Sequence, residues 1–314
     1  MSFPNLLSWR SATAGDDAQI ERHLHASLGS GDASLDRIAA YFTSVPASRH
    51  RARIAAAASL IAKPTSGEAL HPDVVDVSIA VELVHIGTSY HDDVIHKTQT
   101  RNRAPTANKT WGDLEAILAG DFLIARASEL ASNHGTEIAK DLATTIGWMC
   151  EGRQRELSAI GRVIPVDERL ETLSLSVGSL FSTATRIAGT LAGMPEASIA
   201  RLAKVGGHLG SAFAIGADID RFVAGEPSTG RSPLYDLKRG HFTLPVLLSE
   251  SPPDAALLDH GAATVEHQRL RAEGVVQRAN NLLRAAMQSA IDELANFDNN
   301  AARQLSAVLG TTTV

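Results

Sequence analysis

Long stretches of this chain contain no proline and carry apolar residues at three- and four-residue spacing, and that pattern limits the fold more than any other feature. Val74–His96 is one such stretch; Leu114–Ser132, Gly135–Ile160, Glu168–Leu191, Ser198–Phe222 and Val275–Ala295 are others. In the last of these, Val276, Ala279, Leu282, Leu283, Ala286 and Ile291 recur at mostly helical spacing. Proline and glycine gather at breaks such as Lys63–Gly67, Arg103–Pro105, Gly225–Gly230 and Ser251–Pro253. No run alternates β-branched with polar residues as a strand does, and no unit repeats at a fixed period. The expectation is an all-α protein, one domain over residues 1–314, with about a dozen helices bundled around a central cavity. Gly225–Leu234, the longest polar stretch inside the fold, reads as a mobile loop, and the extreme ends read as frayed.

Composition agrees. Aromatic residues make up only 4% of the chain, while alanine and leucine, both strong helix formers, are plentiful. The net charge is −6 and no dense run of Lys or Arg appears, which argues against nucleic acid as a main partner. The single cysteine, Cys150, excludes an intrachain disulfide and points to a reducing cytoplasm. Met1–Arg10 lacks the features of a signal peptide, and the longest apolar run, Ile54–Ala62, is too short to span a bilayer. A soluble protein with no integral membrane segment is expected.

Two adjacent carboxylates, Asp92 and Asp93, lie on an otherwise apolar helix, with His96 one turn beyond Asp92 on the same face. Such a pair is costly to bury unless a cation sits between its members. Hard oxygen ligands suit Mg²⁺, which typically bridges carboxylates to substrate phosphates. A solvated acidic helix end is the bland alternative.

The surrounding residues decide between them. Glu82-Leu83-Val84-His85, His91-Asp92-Asp93, Arg101, Pro105-Thr106-Ala107-Asn108 and Gly120-Asp121-Phe122-Leu123 follow in order. This stretch resembles the first aspartate-rich motif of the trans-polyprenyl diphosphate synthases. The second half also resembles that family. Phe213–Phe222 lies where it has its second aspartate-rich motif, and Gly240-His241-Phe242-Thr243-Leu244-Pro245 where it has Gly-Lys-x-Thr-Leu-Pro. Upstream, Ser48-Arg49-His50-Arg51-Ala52-Arg53 matches its Gly-Gly-Lys-Arg-x-Arg, and Ser179-Leu180-Phe181 the end of its Lys-Thr-x-x-Leu-Phe element.

The resemblance implies the isoprenoid synthase fold and a Mg²⁺-dependent prenyltransferase. Such an enzyme ionises an allylic isoprenoid diphosphate and passes the carbocation to a second substrate. It also implies a homodimer. It assigns Asp92 and Asp93 to metal and catalysis, with Asp218 as a metal ligand across the cavity, and Arg101 to the allylic diphosphate. Arg53 and His85, flanked by Arg51 and His50, fall to the second diphosphate. His96 and His241 fall to substrate binding.

The departures are as informative as the matches. The second motif has Ala217 and Arg221 in place of aspartates, so only Asp218 aligns; Asp220 is one step off and, at about 100° per residue, is expected to face elsewhere. Family lysines are replaced by His50, Ser176 and His241, the third aspartate of the first motif by His96, and a second arginine by Asn102. Positive and negative charge are lost together, which points to fewer metals and an altered acceptor. A non-catalytic subunit paired with an intact synthase is the competing reading, and a terpene cyclase-like activity is another. For the latter, Asp218, Phe222 and Glu226 have the spacing of a terpene synthase metal triad, but with phenylalanine in the middle. Asp218 and Arg221 are also spaced as an ordinary intrahelical ion pair, and His85 taken alone could be a core histidine. Finally, Gly87 and Thr88 fall where the family sets the floor of its hydrocarbon tunnel; both are small, which predicts a tunnel open to long chains.

Overall fold

A computed structural model describes residues 14–44, 49–63, 70–101, 104–223, 232–254 and 260–311. The helices are α1 (Ala14–Ala26), α2 (Ala33–Ser44), α3 (His50–Ala62), α4 (Pro72–Ile95), α5 (Ala107–Trp111), α6 (Asp113–Ser132), α7 (Thr136–Ser158) and α8 (Val166–Leu173). A π-helical turn, Ser174–Gly178, joins α8 to α9 (Ser179–Leu191). Then come α10 (Glu196–Val223), α11 (Pro233–Lys238), α12 (Leu244–Leu247), α13 (His260–Ala272), α14 (Val275–Leu294) and α15 (Asn300–Thr311). The all-α expectation holds. Among the described residues the only sheet is a two-residue antiparallel ladder, β1 (Thr100–Arg101) with β2 (Ala104–Pro105). Gly225–Gly230, Glu226 with it, and Asn102 lie outside the described residues. Pro233 and Leu234, assigned above to a loop, instead open α11, where the Ser232 side chain accepts a hydrogen bond from the Leu234 N–H as an N-cap.

α4 is the axis of the bundle. It is apolar nearly all round, from Val74 through Ile86 to Tyr90, and packs on α6, α3, α9 and α1. A second apolar layer joins α10 to α9 and α14. Tyr90 is buried and ties α2 to α4: its hydroxyl donates to the Ile38 carbonyl (2.7 Å) and accepts from the Phe42 N–H (3.0 Å). No helix among the described residues is long and apolar enough to cross a membrane.

Gly87 corrects the tunnel expectation. It is buried where α4 crosses α6, and a Cβ there would lie 2.7 Å from the Gly120 carbonyl oxygen and 2.9 Å from an Ile124 side-chain carbon. The residue is small because two helix backbones meet, so it does not hold a tunnel open. Thr88 turns its hydroxyl onto the Val84 carbonyl of its own helix (2.8 Å). Gly87→Ala is expected to cost about 1–3 kcal/mol of stability through overpacking, read as a lowered urea midpoint. An unchanged midpoint would restore the tunnel reading.

Candidate active site

The C-terminal half of α4 carries the acidic motif into a cavity of about 320 Å³. Asp92, His96, Arg101, Phe213, Ala217, Asp218, Asp220 and Arg221 all line it. The two adjacent aspartates differ. Asp93 is 2% exposed and held by Arg101, whose Nη2 donates to Oδ1 (2.6 Å) and whose Nε lies 3.1 Å from both oxygens. Asp92 faces the cavity, and its Oδ2 accepts from Arg153 on α7. Burial raises the Asp92 pKa, and Glu156 and Asp93 add to the rise, against Arg153 and Arg101.

Across the cavity, Asp218 is 1% exposed. Arg169 of α8 grips it with a fork: Nε to Oδ2 at 3.0 Å, and Nη2 at 2.9 Å from each oxygen. Arg221 adds Nη2 to Oδ1 at 2.5 Å, and the Leu244 N–H donates to Oδ2 at 2.9 Å. The intrahelical pair of Asp218 with Arg221 is therefore formed. Glu156 of α7 completes the web. It accepts from Arg153 and, at 3.3 Å, from Arg169, with Arg221 Nη2 at 3.7 Å. Burial opposes ionisation of Glu156, but these arginines overcome it and hold its pKa well below the usual carboxylate range. Asp220 corrects the helical-wheel expectation: it is exposed on the cavity wall beside Ala217 and Arg221.

A basic cluster adjoins the cavity. Arg51 lies over the rings of Phe181 (4.9 Å) and Phe213 (5.4 Å), and the His50 ring packs against Phe213 at 5.2 Å. Burial, then the charges of Arg51 and Arg53, push His50 down to about 4. Burial and then Arg51, Arg101, Arg49 and His50 push His85 down as well. Beyond the first motif, His96 faces His241 edge-on, with ring centres 5.6 Å apart. The positions named by the resemblance thus converge on one region. The neutral state of His50 contributes stability that is present above its unfolded pKa of 6.5 and is lost as pH falls toward about 4. Between pH 7.5 and 5 the loss is expected to be about 2 kcal/mol, measured by urea unfolding. His50→Gln should abolish that increment; an unchanged pH dependence would place the acid sensitivity elsewhere.

Arg153, Glu156 and Arg169 were not singled out in the sequence, yet they tie the two acidic motifs together. The first motif fits a divalent cation: Asp92 presents a carboxylate on the cavity wall, crowded by Asp93, with the oxygen chemistry Mg²⁺ takes. The second motif does not. Both Asp218 oxygens are committed to two guanidiniums and a backbone N–H, so Asp218 is corrected from metal ligand to partner of Arg169 and Arg221. A dication about 4 Å from one guanidinium meets repulsion on the order of 8 kcal/mol at a near-surface dielectric. Carboxylates at positions 217 and 221 could offset that, but Ala217 and Arg221 stand there. The terpene synthase triad fails too, because its middle member, Phe222, is a 2%-exposed core residue.

The sequence pattern that describes the polyprenyl synthetase family matches residues 32–279. A nonaprenyl diphosphate synthase from Mycobacterium tuberculosis is 35% identical over 243 residues, 75% of this chain and 71% of that protein. Heptaprenyl diphosphate synthase component 2 from Geobacillus stearothermophilus is 32% identical, over 60% of each chain. The fold matches a polyprenyl synthase from Caulobacter crescentus, solved with calcium and isoprenyl diphosphate. The TM-score is 0.89 at 23% identity, over 100% of this chain and 98% of that one.

Proposed function

The chain belongs to the polyprenyl synthetase family, and on that premise we propose that it is a Mg²⁺-dependent prenyltransferase acting on an allylic isoprenoid diphosphate. The observation that carries this is the facing of Asp92, Arg101, Arg153 and Arg221 onto one cavity beside the His50, Arg51, Arg53 and His85 cluster. Mg²⁺ held at Asp92 would neutralise charge that develops on the departing diphosphate, whereas Asp93, both of whose oxygens are taken by Arg101, acts through that guanidinium. Asp93 fixes the Arg101 fork, and Arg101 keeps Nη1 for the diphosphate. Leu173, Val177 and Phe213 give the cavity an apolar wall that excludes water from the cation. His85, Arg53, Arg51 and His50 bind the acceptor. Because His50 stands where the family has lysine and is held neutral, the cluster carries less charge than the family pattern and fits a less charged acceptor than isopentenyl diphosphate. His96 and His241 serve the substrate at the edge of the cavity.

A homodimer is supported by exposed apolar residues one turn apart on α6, Leu114 at 73% and Leu118 at 63% exposed. The lone Cys150 fits a reducing cytoplasm. A second reading, a subunit that needs an intact synthase partner, draws on the altered second motif and on the likeness to a heptaprenyl synthase component. The purified chain is incubated with Mg²⁺ and dimethylallyl, geranyl, farnesyl or geranylgeranyl diphosphate, each with and without isopentenyl diphosphate, and products are read by mass spectrometry. Ionisation of an allylic substrate, with or without elongation, is the expected result. No turnover with any substrate would favour the subunit reading.

A further inference from the structure

The web between the two acidic motifs has a feature that the proposed function leaves unused. Arg221 commits only Nη2 to Asp218 and Glu156, while its side chain stays partly exposed and lines the cavity. Its Nε and Nη1 therefore remain for a ligand. Arg153 stands in the same wall, with Nη1 on Glu156, Nη2 on Asp92 and Nε left over. Arg169 behaves differently. All three of its nitrogens are spent on Asp218 and Glu156, and it is buried behind them as a strut. The carboxylates thus work as holders: they fix charged guanidiniums on the cavity lining and leave part of each donor set uncommitted.

We propose that Arg221, with Arg153 beside it, is a direct ligand of the leaving diphosphate and takes the part of the divalent cations that carboxylates at the second motif would hold. The site then binds one divalent ion per diphosphate, at Asp92, the member of the aspartate pair that lines the cavity. This rests on reading the cavity as a diphosphate site. The chain's own sequence makes the exchange legible: the position that turns to the cavity one helical turn after Ala217 is a cation instead of a cation's ligand. Asp220, on the same wall, supplies a single carboxylate, because Asp218 beside it is spent. Across the cavity lining, Arg101, Arg153 and Arg221 face Asp92, Glu156, Asp218 and Asp220, so one added dication is enough to turn the wall net positive.

The test counts metal instead of turnover. Mn²⁺ bound per chain is measured by electron paramagnetic resonance at saturating inorganic pyrophosphate, and pyrophosphate affinity by calorimetry in the same buffer. The wild-type chain is expected to hold one Mn²⁺. Arg221→Gln should weaken pyrophosphate at least tenfold with the count still one, and Arg221→Lys should recover part of that loss. Arg221→Asp, which puts a ligand where the guanidinium was, should raise the count above one. Circular dichroism and melting establish that each variant is folded, and Arg153→Gln gives an independent loss of affinity should an Arg221 variant not fold. Two or more Mn²⁺ on the wild-type chain would overturn the inference while leaving the diphosphate site intact. So would an Arg221→Gln affinity within twofold of wild type. Failure to bind pyrophosphate at all, with Mn²⁺ present, would overturn both this inference and the reading it rests on.

Discussion

Replacing Arg169 with leucine is expected to lower the unfolding free energy by about 3 kcal/mol, the lower end of what is lost when one partner of a buried ion pair is removed. The substitution leaves Asp218 buried and Glu156 on the cavity lining, and strips the bidentate fork from the first and a donor from the second. Arg221 and the Leu244 N–H still serve Asp218, and Arg153 still serves Glu156, which keeps the loss from reaching the upper end of about 5 kcal/mol. The pH dependence gives a second check. Burial raises the pKa of both carboxylates, but the arginines outweigh it and the net shift is downward. The stability they contribute is therefore complete above the unfolded carboxylate range, about pH 4, and is lost as pH falls through the lower folded values. Urea unfolding at pH 7 should show the whole difference between wild type and variant. Arg169→Leu combined with Asp218→Leu should recover part of it, because an apolar pair leaves no unpaired charge apart from Arg221, which keeps Glu156. A single-variant loss below about 1 kcal/mol would mean that the web is solvated and not structural.

What could be read from sequence, and what could not, follows from the range of the interactions. The central helix, the long helices after it and the first acidic motif were legible because their signal is local: periodicity over a few turns, or residues a turn apart. The two helical segments on either side of the π turn, α8 and α9, read as one stretch, since nothing in Ser174–Gly178 breaks the pattern. α1, α2, α3, α13 and α15 escaped because they are short, 12 or 13 residues each, so that packing on the bundle decides them more than their own periodicity does. The web was illegible for a different reason. Arg169 meets Asp218 across 49 residues and Arg153 meets Asp92 across 61, and an arginine on an amphipathic helix looks like a surface residue until its partner is placed. Even so, the loss of carboxylate at 217 and 221 and of lysine at 176 and 241 was visible, and it already implied a rebalanced charge. Gly87 shows the opposite error: smallness was read as space, when its cause is a backbone contact with Gly120.

Asp92→Asn and Asp93→Asn should separate in a way that their adjacency hides. Asp92 lies on the cavity wall, accepts from Arg153, and carries a carboxylate that burial already disfavours. Its replacement by the isosteric amide removes a ligand charge from the reacting region without opening a hole. The expected result is a fall in kcat/KM of about 10²–10³, with a melting temperature unchanged or slightly raised because an unfavourable buried charge has gone. Asp93 instead holds Arg101 through contacts to both oxygens and is almost wholly buried. Its amide leaves the Arg101 guanidinium charged and half-paired, so activity should fall together with stability, the latter by about 2–3 kcal/mol. Steady-state kinetics and thermal unfolding on the same preparations distinguish the two patterns. Asp92→Asn active to within a few-fold of wild type would remove Asp92 from the metal site. Asp93→Asn as stable as wild type would mean that Arg101 is positioned by other groups, and the diphosphate grip would then have to be sought in Arg153 and Arg221, whose holders do not include Asp93.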